Sequence, residues 1–213
     1  ARGDGEAAGV DLALGGTLER PADIGDPVPA DRHVAAIRRL AHRALRGGVL
    51  DPVMTMLSLI GNGGAVWITL AVLLLFFRKT RRAGAAMLLA MLAGFLVGNL
   101  WLKELVMRPR PFVTHSDLTA LLAPGDRWSF PSGHALSSFA AATALWCFHK
   151  KTGVLALVLA ALIAFSRLYA SVHYPTDVLA GMLIGIVLGH AAAFLTDRII
   201  DTFHSIRLRK GDK

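Results

Sequence analysis

Apolar positions along the chain gather into five blocks separated by short charged stretches. The blocks cover residues 52–77, 83–102, 135–148, 154–165 and 178–195. A helix needs about 20 apolar residues to cross a hydrocarbon core about 30 Å thick, and the pattern predicts five spans. The first block is broken by Gly61-Asn62-Gly63-Gly64. Each of its halves, at about twelve residues, reaches only about 18 Å, so the block is predicted as one bent or partly unwound span. Upstream, residues 1–30 are rich in Gly, Ala, Asp and Pro, and Pro21, Pro27 and Pro29 interrupt any helix there. That stretch reads as a flexible tail. From Asp31, a capping residue, Val34, Ile37, Leu40, Ala41, Ala44 and Leu45 fall on one helical face, with Arg32, Arg38, Arg39, Arg43 and Arg46 beside it. Residues 31–48 therefore predict an amphipathic helix lying on a membrane rather than crossing it. The expected layout is a tail (1–30), an interfacial helix (31–48), a transmembrane domain (49–200) and a basic tail (201–213). The fold class is all-α, a polytopic helical bundle.

Composition strengthens that reading. Of 213 residues 54% are hydrophobic and 18% charged, with a mean hydropathy of +0.51, more apolar than a soluble domain of this length. The net charge of +8 raises the question of nucleic acid. The basic residues, however, sit in short loops between apolar blocks, so nucleic acid is excluded as a partner and the bilayer takes its place. With five spans, the basic stretches at 78–82, 149–151 and 207–210 fall on one side, which the positive-inside rule makes cytoplasmic. Parity places the basic N-terminal helix on the other side, against the rule. Residues 1–30 carry no signal-peptide pattern. The single Cys147 is incompatible with an intrachain disulfide framework or a multi-cysteine metal site. Gly181, Gly185 and Gly189, like Gly94 and Gly98, recur every fourth residue, a stripe for close helix packing within the chain or between copies.

Ionisable residues at span ends are where chemistry is expected. Between the fourth and fifth blocks lies Ser166-Arg167-Leu168-Tyr169-Ala170-Ser171-Val172-His173-Tyr174-Pro175-Thr176-Asp177. Asp177, four residues after His173, is placed to accept a hydrogen bond from one imidazole nitrogen and leave the other as a nucleophile. Arg167 offers a planar cation suited to a phosphate oxygen. The alternative for this stretch alone is a buried Arg–Asp pair capping two helices. Two further clusters share its side of the membrane: Lys103 ahead of Arg110-Pro111, and Pro131-Ser132-Gly133-His134 at the start of the third block.

Together these clusters reproduce K-x6-R-P, P-S-G-H and S-R-x5-H-x3-D, and over residues 103–177 the chain resembles the type 2 phosphatidic acid phosphatase (PAP2) family. The resemblance implies a membrane lipid phosphatase in which His173 attacks phosphorus to form a phosphohistidine and Asp177 orients it. His134 would protonate the leaving oxygen and then activate water. Lys103, Arg110, Arg167, Ser132 and the Gly133 backbone would hold the phosphoryl oxygens. It implies no cofactor and no metal, and Glu104, Asp117 and Asp126 in the outer loops offer no compact ligand set. The expected substrate is a lipid phosphate, first undecaprenyl diphosphate, with phosphatidylglycerophosphate or a broader set of phosphatidic acids as the alternative. The expected setting is a bacterial-type plasma membrane with the site facing outward. A vanadate-dependent haloperoxidase shares the signature but is typically soluble, and a non-catalytic lipid-phosphate binder needs the cations without His173, Asp177 and His134. Arg108 falls outside the signature register and is expected as a surface or head-group contact. Trp101, Trp128 and Tyr174 are expected at the membrane interface.

Overall fold

The computed structural model describes residues 47–115 and 118–211, so the expected tail (1–30) and nearly all of the interfacial helix (31–48) lie outside the described residues. Every regular element among the described residues is helical. They are α1 (Leu50–Ile60), a 3-10 turn at Asn62–Gly64, α2 (Ala65–Leu75), α3 (Arg81–Gly94) continuing through a π-helical stretch Phe95–Leu102, α4 (Lys103–Val106), α5 (Pro111–Thr114), α6 (Gly133–Phe148), α7 (Lys150–Tyr169) and α8 (Pro175–Gly211).

By length and composition three helical segments can cross a membrane, namely Arg81–Thr114, Lys150–Tyr169 and Pro175–Phe203, and a fourth if α1 and α2 form one span bent by 45°. The protein is a multi-pass membrane protein. The bend has a local cause: Gly63 (φ 59°) and Gly64 (φ 70°) adopt left-handed backbone, which L side chains disfavour. The remaining predicted span, α6, has 16 residues, about 24 Å. It is the hub rather than a lipid-facing wall. Ten of its residues are buried, five of them alanines, and α3, α7 and α8 pack around it.

Small residues set how closely the hub is approached. A side chain at Gly181, Gly185 or Gly189 would come within 2.6, 2.6 and 2.7 Å of the carbonyl oxygens of Ser132, Leu136 and Ala140. The four-residue glycine stripe of α8 is thus spent inside the chain, register by register along α6. Gly94 and Gly98 of the α3 segment meet the Leu136 side chain.

Helix ends overrun the apolar blocks. α7 runs four residues either side of 154–165, and at its C-terminal end Ser166 and Arg167 are buried within it. α8 continues to Gly211, so most of the expected basic tail is helical. At one end of the bundle Arg82 joins α3 to α8 through Asp197 (3.1 Å) and Asp201 (2.8 Å). The first turns of α6 and α8 and the last turn of α7 meet at the other end, where the Ser132 N–H donates to the Asp177 carbonyl (3.0 Å).

Candidate active site

His173 lies in the short turn between α7 and α8, fully enclosed. Its Nδ1 is 2.7 Å from the Ser129 carbonyl oxygen and 3.7 Å from Asp177 Oδ2. Both neighbours are acceptors, so the proton belongs on Nδ1, and Nε2 carries the lone pair. Nε2 faces the Arg110 guanidinium, 3.5 Å from Nη1. Burial pushes the imidazole down to about 4, with the Asp177 carboxylate opposing that shift and the charges of Arg110 and Arg167 reinforcing it. At neutral pH His173 is therefore uncharged and nucleophilic.

Asp177, in the first turn of α8, is wholly buried. It receives Arg108 Nη1 on Oδ1 at 2.8 Å, and on Oδ2 both the Ser129 hydroxyl and the Tyr174 N–H at 2.8 Å. Arg108 is thereby drawn inward, also donating to Thr176 (2.6 Å) and lying over the Tyr174 ring at 3.9 Å. Tyr174 is buried, with its hydroxyl 2.7 Å from Thr114 Oγ1. Arg108, expected as a surface or head-group contact, keeps 25% of its side chain exposed while binding Asp177, and Tyr174, expected at the membrane interface, is packed within the protein.

Three cations converge on the same space. Lys103, Arg110 and Arg167 are each about 95% buried or more (5%, 3% and 5% exposed). Arg110 donates from Nη1 to the Val172 carbonyl (2.8 Å), from Nε to the Asp126 carbonyl (3.1 Å) and from Nη2 to the Asp126 carboxylate, which also takes Lys103. Arg167 donates to the Ser58 hydroxyl. His134, at the start of α6, rests its Nε2 on the Ser58 carbonyl (3.2 Å). Ser132 is the N-cap of α6, its side chain making no capping bond. Gly133 is hemmed in: a Cβ there would lie 3.1 Å from Asn99 Oδ1 and 3.7 Å from Lys103 Nζ. A cavity of about 530 Å³ is lined by Lys103, Arg110, His134, Arg167 and His173 and by Ile68, Leu88, Met91, Leu92 and Phe95, the last four of which lie about two to four helical turns before Lys103 and so mark an apolar end. Among the described residues no three His, Cys, Asp or Glu side chains converge as a metal site would require.

The family model "PAP2 superfamily" matches residues 81–200, more than half of the chain. The chain belongs to the PAP2 superfamily. It is 37% identical over 138 residues to an undecaprenyl-diphosphatase of Sulfolobus acidocaldarius, covering 64% of this chain and 66% of that one, just under two thirds of the relative's length. It is 29% identical to the undecaprenyl-diphosphatase BcrC of Bacillus subtilis, covering 72% of this chain and 77% of the other. Among solved structures it resembles a transmembrane PAP2-type phosphatidylglycerolphosphate phosphatase from Bacillus subtilis, with a TM-score of 0.66 and 28% identity, over 81% of this chain and 89% of that one.

The PAP2 signature residues all sit around one cavity end or directly behind it, although they are spread over residues 103–177. Besides Asp126, which binds Lys103 and Arg110, three residues outside the signature join them. Ser129 holds His173 through its carbonyl and Asp177 through its hydroxyl. Ser58 receives both Arg167 and His134, and Arg108 anchors Asp177. The only hint of Ser58 in the sequence is a hydroxyl, one of two with Thr55, in an apolar run. Ser129 and Arg108 are hinted at only by lying two residues from signature positions.

Proposed function

We propose that the chain is an integral-membrane lipid phosphatase that works through a phosphohistidine. The observation that carries this reading is His173, its Nδ1 proton fixed by Ser129 and its Nε2 lone pair turned toward Arg110. Nε2 attacks phosphorus in line, forming an N–P bond as the P–O bond to the leaving group breaks. His134 supplies the proton to the leaving oxygen. It then takes a proton from water as the water oxygen bonds to phosphorus and the N–P bond breaks, releasing phosphate. Asp177 balances the positive charge that grows on His173. Lys103, Arg110 and Arg167 hold the equatorial oxygens, where most of the stabilisation of phosphoryl transfer arises. The Ser132 hydroxyl and Arg167 Nε are buried without a hydrogen-bond partner, a costly arrangement that phosphoryl oxygens would relieve. The Gly133 N–H, at the start of a 16-residue helix, adds a further donor.

The substrate is a lipid whose phosphate sits among the cations while its tail leaves by the apolar end of the cavity. Undecaprenyl diphosphate, cleaved to undecaprenyl phosphate and phosphate, is the first choice, in keeping with the relatives' names. Phosphatidylglycerophosphate is the second, in keeping with the Bacillus subtilis structure. The site faces outward from a bacterial-type plasma membrane, because the basic stretches at 78–82 and 149–151 belong to the opposite helix ends. The deciding test is phosphate release from undecaprenyl diphosphate with excess EDTA, parent beside His173→Ala. The expected result is chelator-resistant release by the parent and loss of turnover in the variant. Hydrolysis undiminished in His173→Ala overturns the mechanism. No release by the parent moves the substrate to phosphatidylglycerophosphate.

A further inference from the structure

Lys103 and Arg110, two of the cations assigned to the phosphate, are already bound to an anion of the chain itself. Lys103 takes Oδ2 of Asp126 and Arg110 takes Oδ1, and Arg110 Nε adds the Asp126 carbonyl at 3.1 Å. We propose that the Asp126 carboxylate is a built-in occupant of the phosphate subsite, and that a head group must carry more than one negative charge to displace it. This rests on the phosphatase reading above.

The two sides of the ion pair are differently mounted. The cations are enclosed, at 5% and 3% exposure, whereas the Asp126 side chain is 44% exposed on a stretch without helix, residues 118–129. Arg110 keeps a second anchor on the Val172 carbonyl (2.8 Å), and Lys103 is fixed in a helical turn beside Gly133. The donors therefore stay in place when the carboxylate leaves. A carboxylate and a phosphoryl group both offer paired oxygens to such donors, so the two anions compete for one set of positions. Burial alone would raise the Asp126 carboxyl, but the hydrogen bonds and charges of Lys103 and Arg110 hold it below its ordinary range. It is ionised at neutral pH.

Charge then decides the exchange. A phosphodiester lipid brings one negative charge and replaces one, so it gains no Coulomb energy. A phosphomonoester brings about 1.5 to 2 charges at neutral pH, and a terminal diphosphate brings more. Phosphodiesters are the bulk solvent of any site that opens on a phospholipid bilayer. An unguarded cluster of three cations would bind them continually. Asp126 makes the site prefer the end-on phosphate that can be cleaved.

Binding of inorganic phosphate to purified full-length protein in detergent tests this without relying on turnover, by titration calorimetry on the parent, Asp126→Asn, Asp126→Glu and Arg110→Ala. If the occupied form outweighs the open one about tenfold, Asp126→Asn tightens phosphate binding about tenfold, while Asp126→Glu, which restores the charge, stays near the parent. In mixed micelles, excess phosphatidylglycerol should inhibit phosphate release by Asp126→Asn and leave the parent unaffected. Unfolding midpoints confirm that the near-isosteric Asn variant is folded. Phosphate affinity equal to or weaker than the parent's in Asp126→Asn makes the carboxylate a brace for the cations and overturns the proposal. Affinity unaffected by Arg110→Ala removes the phosphate subsite itself, and with it the reading on which the proposal rests. Loss of turnover in His173→Ala with phosphate binding retained bears on the catalytic reading alone, so the two can fail separately.

Discussion

Asp177 has more claimants than oxygens. Arg108, the Ser129 hydroxyl and the Tyr174 N–H occupy it, while His173 Nδ1 stands 3.7 Å away. The direct acceptor of the His173 proton is the Ser129 carbonyl. Asp177 therefore acts on the imidazole through its field and by steadying Ser129, and Arg108 is a positioning residue for that assembly. A hydrogen bond to a charged group contributes about 1.5–3 kcal/mol, so Arg108→Ala should lower kcat/KM about 10- to 100-fold, mainly in kcat. The pH profile separates this from a general loss of structure. In the proposed mechanism His173 must be neutral to attack, so parent activity should fall as pH drops through about 4, once substrate ionisation is accounted for. Freed from Arg108, the Asp177 carboxylate can close on Nδ1 and favour the imidazolium, moving that limb upward toward the ordinary histidine value of about 6.5. Arg108→Lys keeps the charge but loses the planar guanidinium that lies over the Tyr174 ring while Nη1 reaches Thr176 and Asp177, and should recover only part of the rate. A parent-like pH limb and kcat in Arg108→Ala would return Arg108 to the surface role its sequence position suggested.

At the scale of elements, the apolar blocks located each long helix because every one has a core or lipid face that hydropathy detects. Their ends were harder to read. Arg167 counts as a terminator in a hydropathy sum, yet it sits inside α7 with its charge turned inward to Ser58. The same limit hid Ser58, Ser129 and Asp126, whose partners lie 109, 44 and 23 residues away in the chain. Short-range spacing carries no trace of such contacts, whereas the signature residues were legible because fixed spacing is what defines them. The α8 glycine stripe left two readings open, and packing along α6 resolves it. Gly185→Val should therefore overpack the α6–α8 seam and cost about 1–3 kcal/mol, seen as a lower unfolding midpoint in detergent. Gly63→Ala meets nothing within 4 Å and bears only the strain of φ +59°, about 1–2 kcal/mol. A Gly185→Val protein of parent stability but altered oligomeric mass would move the stripe to a surface between copies.

For the whole molecule, the bend between α1 and α2 matters most where the bundle meets lipid. Near the basic end α2 and α3 are close-packed, with Gly84 against the Ala71 carbonyl. Toward the site, Ile68 of α2 and Leu92 and Phe95 of the α3 segment line the cavity and are 44%, 56% and 50% exposed. A cavity of about 530 Å³ is of the size that encloses a small ligand. On the proposed function it would hold a phosphate head and the first part of a tail, and the remainder of a long prenyl or acyl chain would stay in the bilayer. Access is then lateral, between α2 and α3. Leu92→Trp, which narrows the opening without touching the cations or His173, should raise KM for a long-chain lipid phosphate about tenfold, the loss of about 1.4 kcal/mol of uniform binding. A short, water-soluble phosphate ester has no tail to lay along that seam, and its kcat/KM should stay within about twofold of the parent. The informative quantity is the ratio of the two specificity constants in one detergent. An equal loss for both substrates would mean that the indole has disturbed the phosphate end. No loss for either would place the tail along a different helix pair, and the next seam to block would be the one between α1 and α7.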